Sequence, residues 1–153
     1  MEALDRIAAR LSAQIFILHE MPSPPVMLEQ VQDLPPLKAS AARDLLARAC
    51  AFLCLSDDDA EDPFLASAAK SGCPLVLIDT PIMRARWEGA AVFVRLDETG
   101  ACAQALRRMI EDPEHRQRMA LAAARRAQDM KPASKPERVR KPALATPNLT
   151  MLV

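Results

Sequence analysis

Four short runs of consecutive apolar residues constrain the fold of this chain more than any other feature. They are residues 15–18, 51–55, 74–78 and 90–94. None of the runs alternates polar with apolar side chains, so each predicts a strand that is buried on both faces of a sheet. Helices of ordinary length fit between the runs, and such crossovers join parallel strands. The sequence therefore predicts an α/β fold: a Rossmann-like parallel sheet flanked by helices.

The segments between the runs show helical spacing or helix-capping residues. The pattern predicts helices at 2–12, from Ser40 to about 49, at 64–71 and from Asp97 to about 110, with a turn or short helix at 81–87. A last helix begins at Asp112, where a cap residue precedes Pro113, and runs to about residue 128. Five prolines between residues 21 and 37 predict a loop with room for one short strand.

The charge distribution divides the chain in two. Residues 130–153 contain five Lys or Arg and one Glu, so this segment carries +4 and the first 129 residues carry −4, which gives the net charge of zero. We expect a Rossmann-like domain over residues 1–129 and a basic, proline-containing, disordered tail over residues 130–153. The tail has no aromatic side chain on which a base could stack, so no nucleic-acid partner is expected.

Composition excludes several classes of site. The three glycines, Gly72, Gly89 and Gly100, are too far apart to form a glycine-rich phosphate loop. The four cysteines form no C-x-x-C pair, so no zinc site is expected, and we expect buried, reduced thiols. No apolar run reaches the roughly 20 residues of a membrane span. A cytoplasmic protein without a transmembrane segment or a cofactor is the expectation.

Ligands of open parallel sheets bind outside the carboxyl ends of the strands, which here are residues 19–21, 56–62, 79–82 and 95–97. The loop at 56–62 has five carboxylates, which suit a Mg²⁺ or Mn²⁺ ion but are also typical of a solvated acidic loop. Further along, Arg84 and Arg86 could hold a phosphate with Trp87 as a stacking surface; the alternative is a surface arginine pair beside a partly buried tryptophan.

Three stretches between residues 34 and 128 resemble the C-terminal, donor-binding half of GT-B glycosyltransferases, specifically the large family-4 (group 1) class. The first is AARDLLARACAFLCLS at 41–56, and the second is DPFLASAAKSGCPLVLID at 62–79. The third spans 87–128 and contains GAAVFV and EDPEHRQRMALAAARRAQ. The resemblance implies a GT-B C-terminal half-like domain that binds a nucleotide-sugar and, if active, transfers a hexosyl group.

The same resemblance implies a set of donor-binding candidates. The two glutamates of the family's donor site fall on Asp59 or Glu61 and on Ser67, and the glycine that should follow Phe64 is absent. A Gly-Gly pair expected after Asp79 is replaced by Thr80-Pro81-Ile82. No residue is assigned a catalytic role. The donor-binding candidates are Ser56, Asp59, Glu61, Phe64, Ser67 and Thr80.

The chain is too short to contain the separate acceptor domain of that family as well. A partner chain would then supply the acceptor side. The alternative hypothesis is a non-catalytic protein-interaction module on a Rossmann-like scaffold, which would bind a partner protein or form a homodimer.

Overall fold

The computed structural model describes residues 15–18, 31–35, 37–54, 63–95, 97–130 and 150–152. Within these residues, helices and strands alternate along most of the chain. In chain order they are β1 Ile15–Leu18, β2 Val31–Asp33, α1 Ala39–Arg48, β3 Phe52–Cys54, α2 Pro63–Lys70, β4 Leu75–Ile78, α3 Pro81–Trp87, β5 Ala91–Val94, α4 Thr99–Glu111, α5 Pro113–Asp129 and β6 Thr150–Leu152. The predicted helix at 2–12 lies outside the described residues.

The strands form one sheet in the order β2-β1-β6-β3-β4-β5. β1 pairs in parallel with β2, and β3, β4 and β5 pair in parallel with one another. With helices as the crossovers between β3, β4 and β5, this arrangement confirms the predicted α/β, Rossmann-like fold.

β6 is the one described strand that runs against the others. It pairs antiparallel with β1 on one side and with β3 on the other, and Met151 lies opposite both Ile17 and Leu53. The sheet therefore contains, between its two parallel parts, one antiparallel strand that the sequence pattern did not predict. The strand lies in the segment predicted as a disordered tail, of which residues 131–149 and 153 lie outside the described residues.

The core lies around β3 and β4, whose residues are all buried. Leu46 of α1, Leu65 of α2 and Trp87 of α3 pack into the same cluster. Ala123 and Ala127 of α5 join it, and their small side chains let this helix approach the sheet closely. The helices therefore fix the positions of the loops that follow β4 and β5.

Two of the predicted helix caps are wrong, and one is confirmed. α1 begins at Ala39, so Ser40 lies inside its first turn and Lys38 is at the cap position without a side-chain bond. Glu98 precedes α4, and the Asp97 carboxylate bonds to Arg95 instead of to the helix. Asp112 does cap α5, because its Oδ1 accepts a hydrogen bond from the His115 backbone N–H at 2.9 Å.

Candidate functional site

An open cavity of about 510 Å³ lies at the carboxyl ends of β4 and β5. Ile78, Asp79, Arg95 and Asp97 line it among the described residues. The register places Ile78 opposite Val94, so Asp79 and Arg95 leave their strands at the same level. The Asp79 backbone N–H also donates to the Val94 carbonyl at 2.8 Å, which holds the two strand ends together. Two of the four strand-end segments expected to bind a ligand meet here.

Asp79 is held in place by an arginine from the following helix. Arg84 Nε lies 2.5 Å from Asp79 Oδ1, and Arg84 Nη2 lies 2.9 Å from Oδ2, so the pair is bidentate. The Arg84 guanidinium also lies 4.8 Å from the centroid of the Phe93 ring. The hydrogen bonds from Arg84 hold the pKa of Asp79 below its usual value, and the charge of Arg95 acts in the same direction. Asp79 is therefore a fixed, ionised carboxylate at the cavity.

Arg95 and Asp97 form a second bidentate pair, which is more exposed than the first. Arg95 Nε and Nη2 lie 3.1 Å and 2.8 Å from the two Asp97 carboxylate oxygens. The two side chains are 62% and 64% exposed. The hydrogen bond from Arg95 lowers the pKa of Asp97, so both groups are charged at neutral pH. Glu98 Oε1 also lies 3.9 Å from Arg95 Nε, and exposed ion pairs of this kind contribute little to stability.

The donor-binding candidates of the sequence analysis do not line this cavity in the part of the chain that the structure describes. The Thr80 side chain caps α3 by accepting a hydrogen bond from the Met83 N–H at 3.3 Å. Phe64 is half-buried on α2 and packs against the core. Ser67 is half-buried on the same helix, and its carbonyl accepts from the Ser71 N–H at 3.0 Å. Ser56, Asp59 and Glu61 lie outside the described residues.

The predicted stacking surface at Trp87 is wrong, because this side chain is only 2% exposed and belongs to the core. Its Nε1 has no hydrogen-bond partner among the described residues. Arg126 of α5 donates from Nε to the Arg86 carbonyl at 2.6 Å and from Nη2 to the Ala85 carbonyl at 3.2 Å. It thus provides hydrogen bonds to carbonyl groups in the last turn of α3. Of the two interpretations of this segment, a phosphate site with a stacking tryptophan and surface arginines beside a buried tryptophan, the structure favours the second.

The predicted acidic metal loop, residues 56–62, also lies outside the described residues. Elsewhere in the described ranges, no group of three or more His, Cys, Asp or Glu side chains is arranged to hold a metal ion. All four cysteines are described and none of them forms a disulfide; Cys54, Cys73 and Cys102 are buried, and Cys50 is half-buried. Three of the four thiols therefore lie where the sequence predicted.

The charged pairs at the cavity are not predicted by the sequence pattern. The strand ends at 79–82 and 95–97 are predicted from the sequence, with Arg84 as either a phosphate ligand or a surface arginine and Asp97 as a helix cap. The available signal was the presence of opposite charges directly after two neighbouring strands, Asp79 after one and Arg95 after the other. This signal locates the charges but not the pairs, because Asp79 pairs with Arg84 and Arg95 pairs with Asp97.

Comparison of the chain with models of known protein families gives no match. A search among curated proteins likewise finds no match. No helix in the described part of the chain has the length and apolar character needed to cross a membrane.

Proposed function

We propose that this protein is a glycosyltransferase-like, donor-binding half of the GT-B type and binds a nucleotide-sugar at the cavity beside β4 and β5. The observation that supports the proposal best is the exposed Arg95 guanidinium on the wall of an open cavity at the carboxyl edge of the sheet. This edge is where open α/β sheets bind nucleotides.

The charged residues of the cavity suit the two parts of such a ligand. A guanidinium binds phosphate oxygens bidentately, and Arg95 already holds the Asp97 carboxylate in that geometry. A diphosphate would replace Asp97 on Arg95. The Asp79 carboxylate is fixed by Arg84 and is suited to accept hydrogen bonds from sugar or ribose hydroxyls.

In this proposal the described chain supplies the donor side only. Hexosyl transfer would further require an acceptor-binding partner, and cytoplasmic nucleotide-sugars would be the donor source. No catalytic residue is assigned, because the proposed contacts position the donor and none of them places a base next to an acceptor hydroxyl.

The proposal is tested by titrating the protein with UDP- and GDP-sugars and following amide resonances by NMR. We expect shifts at Asp79, Arg95 and Asp97, and a rise of about tenfold in Kd for Arg95→Gln, which is the loss expected for one charge-assisted hydrogen-bonded contact. No shift around Asp79 and Arg95 at millimolar ligand would contradict donor binding.

Arg118→Gln is a matched control for Arg95→Gln. Arg118 lies on α5, six residues after Asp112, and Asp112 directly follows the carboxyl end of α4. The cavity lies beside the other end of that 13-residue helix, about 20 Å away at about 1.5 Å per residue. Arg118→Gln makes the same change of charge and should leave Kd unchanged within about twofold.

A second candidate function, a non-catalytic protein-interaction module, rests on a different observation. The three described donor candidates serve the fold: Thr80 caps a helix, Phe64 packs on the core, and Ser67 lies half-buried on α2. Because these three residues stabilise the fold, we expect the alternative function to be the binding of a partner protein or of a second copy of this chain. Light scattering and co-purification separate the two functions, since a monomer without a partner that binds UDP-sugar supports only the first.

A further inference from the structure

Two cysteines lie side by side at the amino edge of the sheet, opposite to the cavity. The register of β3 and β4 places Phe52 opposite Leu75, and the Phe52 N–H donates to the Pro74 carbonyl at 2.8 Å. Cys50 and Cys73 each precede these partners by two residues. Neighbouring strands are about 4.8 Å apart. Cys50 lies at a bend just before β3 and Cys73 lies just before β4, so the two cysteines enter the sheet at neighbouring strands. A disulfide between them requires Cα atoms about 4.4–6.8 Å apart.

Side-chain contacts support the same placement. The Cys73 Sγ lies 3.9 Å from the carbonyl oxygen of Ala49, the residue next to Cys50. Cys73 is 1% exposed, whereas Cys50 is half-buried and can be reached from solvent. The Cys50 thiol is therefore accessible to solvent, whereas the neighbouring Cys73 thiol is buried in the core.

An arginine completes the arrangement. Arg116 Nη1 of α5 lies 4.0 Å from the Cys50 Sγ, and the same nitrogen donates to the Met109 and Ile110 carbonyls at 3.0 and 3.1 Å. The two carbonyls hold the guanidinium in position. Its positive charge thus lies where the negative charge of a reacting Cys50 thiolate forms, and such surroundings are typical of reactive cysteines.

We propose that Cys50 is a site of oxidation by hydroperoxides and that Cys73 then joins it in a disulfide. The Cys50 thiolate attacks one peroxide oxygen, the O–O bond breaks, and the departing oxygen takes up a proton to leave as water or an alcohol. Cys50 is then a sulfenic acid. The Cys73 sulfur attacks the Cys50 sulfur and loses its proton, and the hydroxyl group departs as a second water. Two thiols and one hydroperoxide thus give one disulfide and two hydroxyl-containing products.

The two thiols have different roles because their surroundings differ. Burial raises the pKa of Cys73 to about 12, and the neighbouring Cys50 adds to that effect, so Cys73 is not the group that meets the peroxide. Cys54 lies opposite Leu77 in the register and Cys102 lies on α4, and neither position has a cysteine opposite it. Cys54 is therefore an internal control, four residues from Cys50 in the same chain.

Hydrogen peroxide and the full-length chain provide the test. Trypsin cleaves after Arg48, Lys70 and Arg84, so the expected disulfide joins the peptide 49–70 to the peptide 71–84. The first peptide contains both Cys50 and Cys54, and Cys54→Ala removes this ambiguity. We expect the linked pair in the wild type and in Cys54→Ala, and its loss in Cys50→Ser. Alkylation of the reduced protein should modify Cys50 at least about tenfold faster than the three buried thiols.

Each outcome bears on the proposal. Cys50→Ser replaces a half-buried group and should fold, so the test does not depend on Cys73→Ala, which changes the core. A link that includes the Cys102 peptide, a link that persists in Cys50→Ser, or irreversible oxidation of Cys50 without any link would overturn the proposed pair. The reaction involves the edge opposite to the cavity, so Arg95→Gln should leave it unchanged.

Discussion

Replacing Gly72 by alanine isolates the contribution of one backbone conformation to the stability of the fold. Gly72 follows α2 with a φ of +73°, and its N–H donates to the Ala69 carbonyl at 3.1 Å. A Cβ built at this position meets nothing within 4 Å. The substitution therefore removes no packing and causes no clash. Only the left-handed backbone opposes it.

The magnitude follows from two opposing effects. A left-handed conformation costs an L-residue about 1–2 kcal/mol. Alanine also reduces the conformational freedom of the unfolded chain, which offsets about 0.4–1 kcal/mol. We expect Gly72→Ala to lower the free energy of unfolding by about 1 kcal/mol. Gly72→Asn should cost less, because asparagine adopts this conformation more readily.

Urea unfolding followed by circular dichroism measures the effect. With a slope of about 2 kcal/mol per molar, the midpoint should fall by about 0.5 M. Gly89 has a φ of +77° and equally open space, so Gly89→Ala should cost about the same. The double variant should show the sum, because the two turns are separate.

Two results would refute this reasoning. A loss above about 3 kcal/mol would mean that packing at Gly72 is disturbed, in conflict with the open space around it. An unchanged midpoint would mean that the residue does not adopt a left-handed conformation. Nucleotide-sugar binding should not change in either glycine variant, because neither glycine lines the cavity among the described residues.

Three further predictions test other parts of the fold. Asp112→Ala should lower stability at neutral pH by removing the cap of α5. The hydrogen bond from the His115 N–H lowers the pKa of Asp112, so the cap contributes fully above the ordinary aspartate pKa and its contribution is lost as the pH falls through the lowered value. The urea midpoints of variant and wild type should therefore converge at low pH. Leu46→Ala removes a fully buried side chain and should cost about 2–5 kcal/mol by urea unfolding, whereas Leu45→Ala, at a half-buried position, should cost less. Met151→Pro removes a backbone donor from β6 between two strands and should lower the thermal midpoint, while an unchanged midpoint would contradict the pairing of β6.

The central strands were predictable because their apolar character does not depend on their partners. Residues 52–54 and 75–78 are buried on both faces, and no other environment suits such runs in a chain of this length. β6 was not predictable in the same way. Its three residues follow a polar, basic segment, and their strand conformation depends on pairing with two strands that are distant in sequence.

The site was predictable in position but not in detail. A parallel sheet places the ends of β4 and β5 at one edge, so the location follows from topology. Which charges pair there depends on distances that a sequence does not contain. Arg84 lies five residues from its partner Asp79 and Arg95 two residues from Asp97, and neither spacing is a standard helical pair. The Asp97 carboxylate can either cap α4 or pair with an arginine, and in the structure it pairs with Arg95.

The position of β6 has a consequence for how the protein is made. During synthesis the ribosome releases β1 and β2 first and β3, β4 and β5 later. Among the described strands, β6 lies between these two groups and pairs with both. Until residues 150–152 have emerged, the edges of β1 and β3 that pair with β6 therefore have no partner from this strand. Unpaired edges of nascent chains are places where other chains add, so cells translating this message slowly should show more aggregation and more chaperone binding of the incomplete product.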